Sequence, residues 1–464
     1  MTAEHAATAR TGPRAVYGAI VDAGSMRPFG GEIEAGNPSD WPGYDEQLGR
    51  ARAETGARHA VTTAAATVRG EPCVLIGFEF LFMGGSMGVA EGARIARAFA
   101  VAVEERLPVL SVAASGGSRM QEGTSALLQM QAIAAAMAAA RRAGIPHIAV
   151  ACDPTTGGVW ASLVAAADVA IGIPGARVSF SGTRTRPASA DRNSPEFQSD
   201  GKWSHGFLDA LSPVPELRGT VASILRLLSP QTRGASGDHA PLPGPPVSAG
   251  EGGPEAGGWQ QVQRARSAHP ELADRWLAGY FERTFEIRGD RSGGVDAGVR
   301  CGFGGRDGAT IAYIAQTGQA TAAAGFRTAT RLLTLAMRFG LPVLTLIDTP
   351  GAAAAPDDEA AGVGSAIAEL FVAVASCSVP VTSVIIGEGV SGGALALASP
   401  VDLWLAPSGY LAVTAPELAA SILKLPSQDV PLVAGLLRLT PAELLSRGII
   451  RGVVQPPAAS SDRG

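Results

Sequence analysis

Only four cysteines occur in this 464-residue sequence, and Cys73, Cys152, Cys301 and Cys377 stand far apart with no Cys-x-x-Cys among them. That spacing excludes a zinc ribbon and a disulfide framework, and the four read as small buried hydrophobes. Aromatic residues are 5% of the chain against 46% hydrophobic overall, most of it Ala, Val and Leu. Such a balance suits helices packed closely on a buried sheet. A net charge of −5 supplies no basic field for nucleic acid or a membrane surface. The opening Met1-Thr-Ala-Glu-His-Ala-Ala-Thr-Ala-Arg10 lacks an apolar run of signal-peptide length, so the expected compartment is the cytoplasm. The most apolar stretch, Ala132 to Ala140, is too short to cross a bilayer and ends in Arg141-Arg142. It reads as a buried helix. No Ser-His-Asp set or carboxylate pair demands a role as nucleophile or acid.

What the sequence does contain is a repeated phrase. Leu107-Pro-Val-Leu110 runs into Ser111-Val-Ala-Ala-Ser-Gly-Gly-Ser-Arg-Met-Gln-Glu-Gly123, and Leu341-Pro-Val-Leu344 runs into Thr345-Leu-Ile-Asp-Thr-Pro-Gly351. Pro146, Asp168 and Gly175 then match Pro380, Asp402 and Gly409 in the same register. A duplicated module follows, each copy placing a glycine-rich turn between a short buried strand and a helix. Such a turn leaves several backbone N–H groups aimed at one spot, with the helix dipole adding positive potential. Second glycine pairs, Gly157-Gly158 and Gly392-Gly393, occur at corresponding places. A lone glycine pair usually serves only a tight turn or close packing. Four pairs or turns in repeat register point instead to two sets of donors for developing negative charge.

The length suggests roughly three domains, but the repeat argues for two of about 220 residues, each able to bury a full core. Residues 1–40 are expected to be loosely ordered, 41–230 to form a first domain, 231–258 a flexible Pro/Gly linker, and 259–464 a second domain. In the first domain, helix Asp45 to Thr55 precedes strands His59 to Val68 and Cys73 to Phe80, and a helix runs through about Val103. Strand Val109 to Ala114, helix Thr124 to Ala143 and strand Ile148 to Cys152 follow. The second domain repeats the plan with strand Ile311 to Ile314, helix Phe326 to Phe339, strand Val343 to Ile347, helix Glu359 to Ala375 and strand Thr382 to Ile386. The fold class is α/β, and ligands of parallel α/β sheets bind beyond the carboxyl ends of the strands, where both glycine sites fall.

Long phrases resemble a known family. Phe82-Met-Gly-Gly-Ser-Met-Gly88, Ala114-Ser-Gly-Gly-Ser-Arg-Met-Gln-Glu-Gly123, Asp153-Pro-Thr-Thr-Gly-Gly158 and Phe180-Ser-Gly182 resemble the β subunit of bacterial acetyl-CoA carboxylase carboxyltransferase. Gly289-Asp-Arg291, Ile347-Asp-Thr-Pro-Gly-Ala352, Ile386-Gly-Glu-Gly-Val-Ser-Gly-Gly-Ala394 and Ala415-Pro-Glu-Leu-Ala-Ala-Ser-Ile-Leu423 resemble its α subunit. The resemblance implies two tandem crotonase-like (ClpP-like) β-β-α superhelix domains, fused β then α. It further implies transfer of CO2 from carboxybiotin, borne on a separate biotin carboxyl carrier protein, to the α-carbon of acetyl-CoA or another acyl-CoA. Malonyl-CoA or a relative would be the product, and biotin carboxylase a further partner. Both enolates of that reaction carry charge on oxygen, so preorganised amides suffice for catalysis.

By the same resemblance Gly116 and Gly117 form the oxyanion hole for the thioester, and Gly157 and Gly158 line the CoA site. Gly351, Gly392 and Gly393 serve the biotin side. Gly84, Gly85, Ser86, Arg119 and Arg327 are substrate-binding candidates, Arg119 being placed either to meet a CoA phosphate or to pair with Glu122. Asp348 reads as a turn residue more than a chemical one, and His147 as structural. The family's β subunit carries a four-cysteine zinc ribbon absent from this sequence, so no zinc is expected. Neither a Met-Lys-Met biotinylation site nor a glycine-rich ATP loop is present. The α subunit's basic turn is replaced by Thr317-Gly-Gln319, its larger residues by Ala352-Ala-Ala-Ala355, and its helical glutamine and glutamate by Val363 and Ser365. These departures leave open a biotin-independent malonyl-thioester decarboxylase and a non-catalytic scaffold subunit of a carboxylase complex. The family also implies a homo-oligomer, a dimer or larger, with no nucleic acid or membrane partner.

Overall fold

The computed structural model describes residues 13–457, apart from 32, 34–35, 183–185, 187–188, 190, 192–193, 233–239, 248–256 and 268–270. The chain divides into two compact units, one comprising residues up to Gln231 with Arg291–Gly293, the other Thr232–Asp290 with Gly294 onward.

Helix α1 (Pro13–Ile20) opens the first unit, and Val16, Tyr17 and Ile20 are buried. Its order departs from the expectation for residues 1–40: an apolar face at i, i+1 and i+4 is enough to seat a short helix, although glycine and proline surround it in sequence. The expectation for residues 1–12 lies outside the described residues. The sheet then runs β1 (Arg27–Pro28), β2 (Val61–Val68), β3 (Glu71–Phe78), β4 (Val109–Ser115), β5 (His147–Thr156), β6 (Val169–Gly172) and β8 (Ala210–Leu211), with β7 (Val178–Ser179) beside β5. β1 to β3 pair antiparallel and β3 to β8 parallel. Every residue of β4 is buried, as a central parallel strand covered on both faces requires. Helix α2 (Tyr44–Thr55) lies between β1 and β2 in the chain. Helix α3 (Val89–Glu105) lies on it through Ile95, Ala98, Phe99 and Ala102, the i, i+3, i+4, i+7 stripe of an amphipathic helix. Helix α4 (Gly123–Arg142) packs on α3.

The second unit has the sheet order β10 (Arg283–Ile287), β11 (Val299–Arg306), β12 (Ala309–Gln316), β13 (Val343–Thr349), β14 (Val381–Val390), β15 (Leu403–Leu405), β17 (Gly452–Val454) and β9 (Pro246–Val247), with β16 (Tyr410–Ala412) beside β14. Part of the stretch expected to be a linker thus belongs to this unit. β9 pairs with β17, Ala240 is buried among Trp276, Tyr280 and Tyr313, and Tyr280 Oη donates to the Pro241 carbonyl at 2.6 Å. Proline-rich sequence can form an edge strand because an edge needs only half of its backbone groups paired. The rest of that stretch, 233–239 and 248–256, lies outside the described residues.

The repeat is stricter in the structure than in the sequence. Val109 pairs with His147 and Val343 with Val381, and both strand pairs break register at the same place, opposite Ser115 and Thr349. Helix α3 has its counterpart in α5 (Ala323–Phe339). Both helices end in a left-handed residue, Gly340 in one and Arg106 in the other. The expected helix from Glu359 to Ala375 is interrupted: Gly362 at φ 78° separates Pro356–Ala360 from α6 (Val363–Ala375), because a left-handed residue cannot continue a right-handed helix.

Candidate active site

Both glycine turns sit at the carboxyl ends of their central strands. In the first unit the Gly117 carbonyl accepts from Met87 N–H at 2.9 Å, and Arg119 N–H donates to the Met87 carbonyl at 2.9 Å. In the second the Gly351 carbonyl accepts from Thr321 N–H at 3.2 Å, and Ala353 N–H donates to the Thr321 carbonyl at 2.9 Å. These are parallel bridges, Met87 with Ser118 and Thr321 with Ala352. Each clamps the turn by the amides on either side of one residue.

The clamp changes which amides are available. Gly116 N–H donates to the Gly84 carbonyl at 2.9 Å and Gly117 N–H to Ser115 Oγ at 3.0 Å. Gly351 N–H donates to Thr349 Oγ1 at 3.1 Å, and Gly157 N–H to the Phe180 carbonyl at 3.1 Å. The donors assigned from sequence to Gly116, Gly117 and Gly351 are therefore already engaged, and their role is to shape the turn. The amides left without an acceptor among the described residues belong to Ser118 and Ala352, the bridged residues themselves. The hydroxyls that secure the turns, Ser115 and Thr349, stand in repeat register, a signal the sequence offered.

The second contribution comes from the short helical starts at Gly157–Val159 and Ser391–Leu395, whose first-turn amides have no intrahelical acceptor. Gly157 at φ 62° and Ser391 at φ 64° turn the chain into them. Gly117, at φ 110°, packs directly on the first: a Cβ there would lie 3.6 Å from Gly157 Cα and 3.9 Å from Gly158 N. In the second unit a Cβ on Gly393 would come within 2.6 Å of Ala352 N. Glycine at these positions lets a strand-end turn and a helix start approach backbone to backbone, so that Ser118 lies by Gly158 in one unit and Ala352 by Gly393 in the other.

Arg119 is not a ligand group. It is 1% exposed, and its guanidinium meets Glu91 Oε1 at 2.9 Å and Glu122 Oε1 at 3.2 Å. It also donates to Tyr44 Oη at 3.3 Å, Ser86 Oγ at 3.1 Å and the Ser86 carbonyl at 2.6 Å. The sequence-based alternative in which Arg119 meets a phosphate is corrected, because its guanidinium is consumed by this buried network; Ser86 is half-buried and accepts from Arg119 through its hydroxyl and its carbonyl oxygen. Glu91 in turn accepts from Ala60 and Gly88 N–H, and Glu122 from Val89 N–H and Tyr44 Oη. The network ties the turn after Ser118 to the start of α3. Gly84 (φ 66°) and Gly85 lie beneath the strand end, where a Cβ on Gly85 would meet the Ala114 carbonyl at 2.2 Å.

Arg327 is partly exposed and pairs with Asp290 at 2.7 Å. Asp348, near the end of β13, accepts from Glu388 N–H of β14 at 2.9 Å, a structural bond between strands rather than within the turn expected from sequence, and burial raises its carboxyl to about 6. His147 is buried, with Nε2 at 2.8 Å from Ser111 Oγ and its ring edge-on to Phe99. Cys73, Cys152 and Cys301 are buried and Cys377 is half-buried, and burial pushes the Cys73 thiol up to about 12. Among the described residues no cluster of His, Cys, Asp and Glu could hold a metal ion, and no helix is long and apolar enough to cross a membrane.

Two tandem α/β units, each ending its central strand in a clamped turn against a helix start, define the crotonase-like carboxyltransferase class of fold. The transcarboxylase 12S core superposes with a TM-score of 0.79 at 18% identity, covering 98% of this chain and 88% of that one. A single-chain, multi-domain long-chain acyl-CoA carboxylase gives 0.73 at 20% identity, with 99% of this chain and 46% of that chain covered. Residues 35–187 match the carboxyl transferase domain, and residues 255–464 the acetyl co-enzyme A carboxylase carboxyltransferase-like model. Acetyl-coenzyme A carboxylase carboxyl transferase subunits beta/alpha of Salinispora arenicola are 38% identical over 437 residues, 90% of this chain and 77% of that protein. The same-named protein of Clostridium tetani is 32% identical, over 94% of this chain and 78% of its own length. The chain belongs to the acetyl-coenzyme A carboxylase carboxyl transferase family, with its β-like half first and its α-like half second, and is a carboxyltransferase of the biotin-dependent acyl-CoA carboxylases.

Proposed function

We propose that this chain moves the carboxyl group of carboxybiotin, delivered on a separate carrier protein, to the α-carbon of acetyl-CoA or a related acyl-CoA, giving malonyl-CoA or a relative. The repeated pair of amides carries this reading. When the α-proton leaves the thioester, charge gathers on its oxygen, and the Ser118 and Gly158 amides are arranged to receive it. Ala352 with Gly392 or Gly393 offers the same donors to the ureido oxygen of the biotin ring, a neutral acceptor that gains charge as CO2 departs. Each preorganised donor is worth about 3 kcal/mol of transition-state stabilisation. Biotin supplies the carboxyl group and a ring nitrogen able to take up the α-proton. No side-chain acid is then required, in keeping with burial of Arg119 and the strand-to-strand bond of Asp348.

A biotin carboxyl carrier protein and a biotin carboxylase complete the cycle in this reading. Leu418, Ile422, Leu432 and Leu436, each more than half exposed on adjacent helices of the second unit, support self-association.

The pure chain, incubated with malonyl-CoA with and without free biotin, tests the reading. Biotin-dependent formation of acetyl-CoA is expected. Loss of CO2 at the same rate without biotin would replace transfer by decarboxylation. Ala352→Pro, which deletes one amide proton, should lower the biotin-dependent rate by about 100-fold or more, whereas Ala352→Gly should retain it.

A further inference from the structure

Gln316, the last residue of β12, is fully buried, and its side-chain amide reaches both parts of the second unit's donor pair. Nε2 donates to the Gly393 carbonyl at 3.1 Å and to Thr321 Oγ1 at 3.2 Å. Gly393 belongs to the helix start Ser391–Leu395, and Thr321 is the residue whose N–H and carbonyl bracket Ala352. One side chain thus ties the clamp to the helix start. The Gly393 carbonyl is open to it because the helix tightens just beyond. In a continuing α-helix that carbonyl would accept from Leu397 N–H, four residues on, but Leu397 N–H donates to the Ala394 carbonyl at 3.2 Å.

The orientation of this amide is forced. A carbonyl can only accept, so the nitrogen must face Gly393, which leaves Oε1 buried with no hydrogen-bond partner among the described residues. An unpaired buried acceptor costs stability that an apolar side chain of like length would not. The first unit makes the apolar choice. Met87 and Thr321 hold equivalent places in the two clamps, and the residue five before Met87, as Gln316 is five before Thr321, is Phe82, buried in one cluster with Tyr44 and Leu48. The duplicated fold therefore forms without an amide at this position, and packing alone does not call for one.

Separation is critical where the two parts meet. A Cβ on Gly393 would stand 2.6 Å from Ala352 N, so a small shift of the helix start either closes on the Ala352 amide or draws away from it. We propose that Gln316 is a positioning residue for carboxyl transfer, holding the Gly393 helix start at the distance from Ala352 at which both sets of amides meet one oxygen. This rests on the reading in which those amides receive the charge of the biotin ring. Gln316 acts through Gly393 and Thr321 and needs no contact with substrate.

The test is steady-state turnover of malonyl-CoA with free biotin by the full chain. Gln316→Met keeps the length of the side chain and removes the donor together with the unpaired oxygen, so its thermal melt should match wild type. Its biotin-dependent kcat should fall by about tenfold or more, within the range set by a misplacement of about 1 Å. KM for malonyl-CoA should not change, because the thioester donors Ser118 and Gly158 belong to the first unit. Thr321→Val removes the other acceptor and should lower kcat by about fivefold, the worth of one neutral hydrogen bond, whereas Thr321→Ser keeps the hydroxyl and should turn over like wild type. The Gln316→Met/Thr321→Val double variant should be no slower than Gln316→Met alone, since both changes break one bridge. A wild-type kcat in Gln316→Met, or equal kcat in Thr321→Val and Thr321→Ser, would overturn the proposal, and the Thr321 pair decides it should Gln316→Met fail to fold. Ala352→Pro separates the two readings: if it lowers the rate and Gln316→Met does not, the bridge fails while the amide pair stands, and if neither lowers it, both fail.

Discussion

Replacing Arg119 by Met tests the largest difference between the sequence reading and the structure. The wild-type side chain is the sole cation contacting both Glu91 and Glu122 among the described residues, and all three groups are buried to within 1% of complete exclusion from water. Methionine would fill much of the volume but leave two carboxylates facing each other without a counter-charge. Breaking one buried pair costs about 3–5 kcal/mol. At roughly 2–4 °C per kcal/mol for a unit of this size, the melting transition of the first unit should fall by about 6–20 °C. Scanning calorimetry would resolve it, and Arg119→Met combined with Glu91→Gln and Glu122→Gln should recover most of the loss. A substrate-binding arginine would behave oppositely, with a raised KM and an unchanged transition. A melting shift below about 2 °C together with weakened substrate binding would therefore refute the buried-network account.

Other expected outcomes bear on the turns. Gly117→Val places a β-branched residue at φ 110° and puts its side chain beside Gly158 N, so activity should fall by about 100-fold or more, with a stability cost of about 1–3 kcal/mol; steady-state rates and a melt separate the two effects. Gly393→Ala pushes a methyl group to within 2.6 Å of Ala352 N and should depress the biotin-dependent rate more than acyl-CoA binding, as parallel rate and titration measurements would show. Asp348 has a folded pKa of about 6, above its unfolded value of 3.8, so the folded state holds more protons between them and stability is lost as pH rises through that window. Asp348→Asn keeps an oxygen for Glu388 N–H and should melt higher than wild type at pH 8, by up to about 3 kcal/mol, with the gap closing near pH 4. A constant gap across that range would remove the desolvation argument.

Much of the site was legible because its constraints are local. Strand-ending glycines, the long strand phrases and the register between Pro146 and Pro380 all reflect short-range backbone demands, and the structure carries the same register back to Met87 and Thr321. Before Leu107 the side chains on the two copies differ, so backbone equivalence had no sequence echo: Arg106 and Gly340 take the same left-handed turn with unrelated residues. Ser118 and Ala352 were missed because their importance is negative. They are what remains once Ser115, Thr349 and Gly84 have engaged the neighbouring amides.

By itself the sequence determined the duplication, the α/β class, the strand-ending turns and membership of the carboxyl transferase family, since these follow from periodicity, glycine placement and long shared phrases. The tertiary structure decided the fate of each polar group. Whether an amide is a donor or already bonded, and whether Arg119 faces a ligand or two carboxylates, depends on residues that meet only after folding: Tyr44, Glu91 and Arg119 are separated along the chain and share one buried cluster. Proximity of that kind is set by how the strands and helices pack, and no local pattern encodes it.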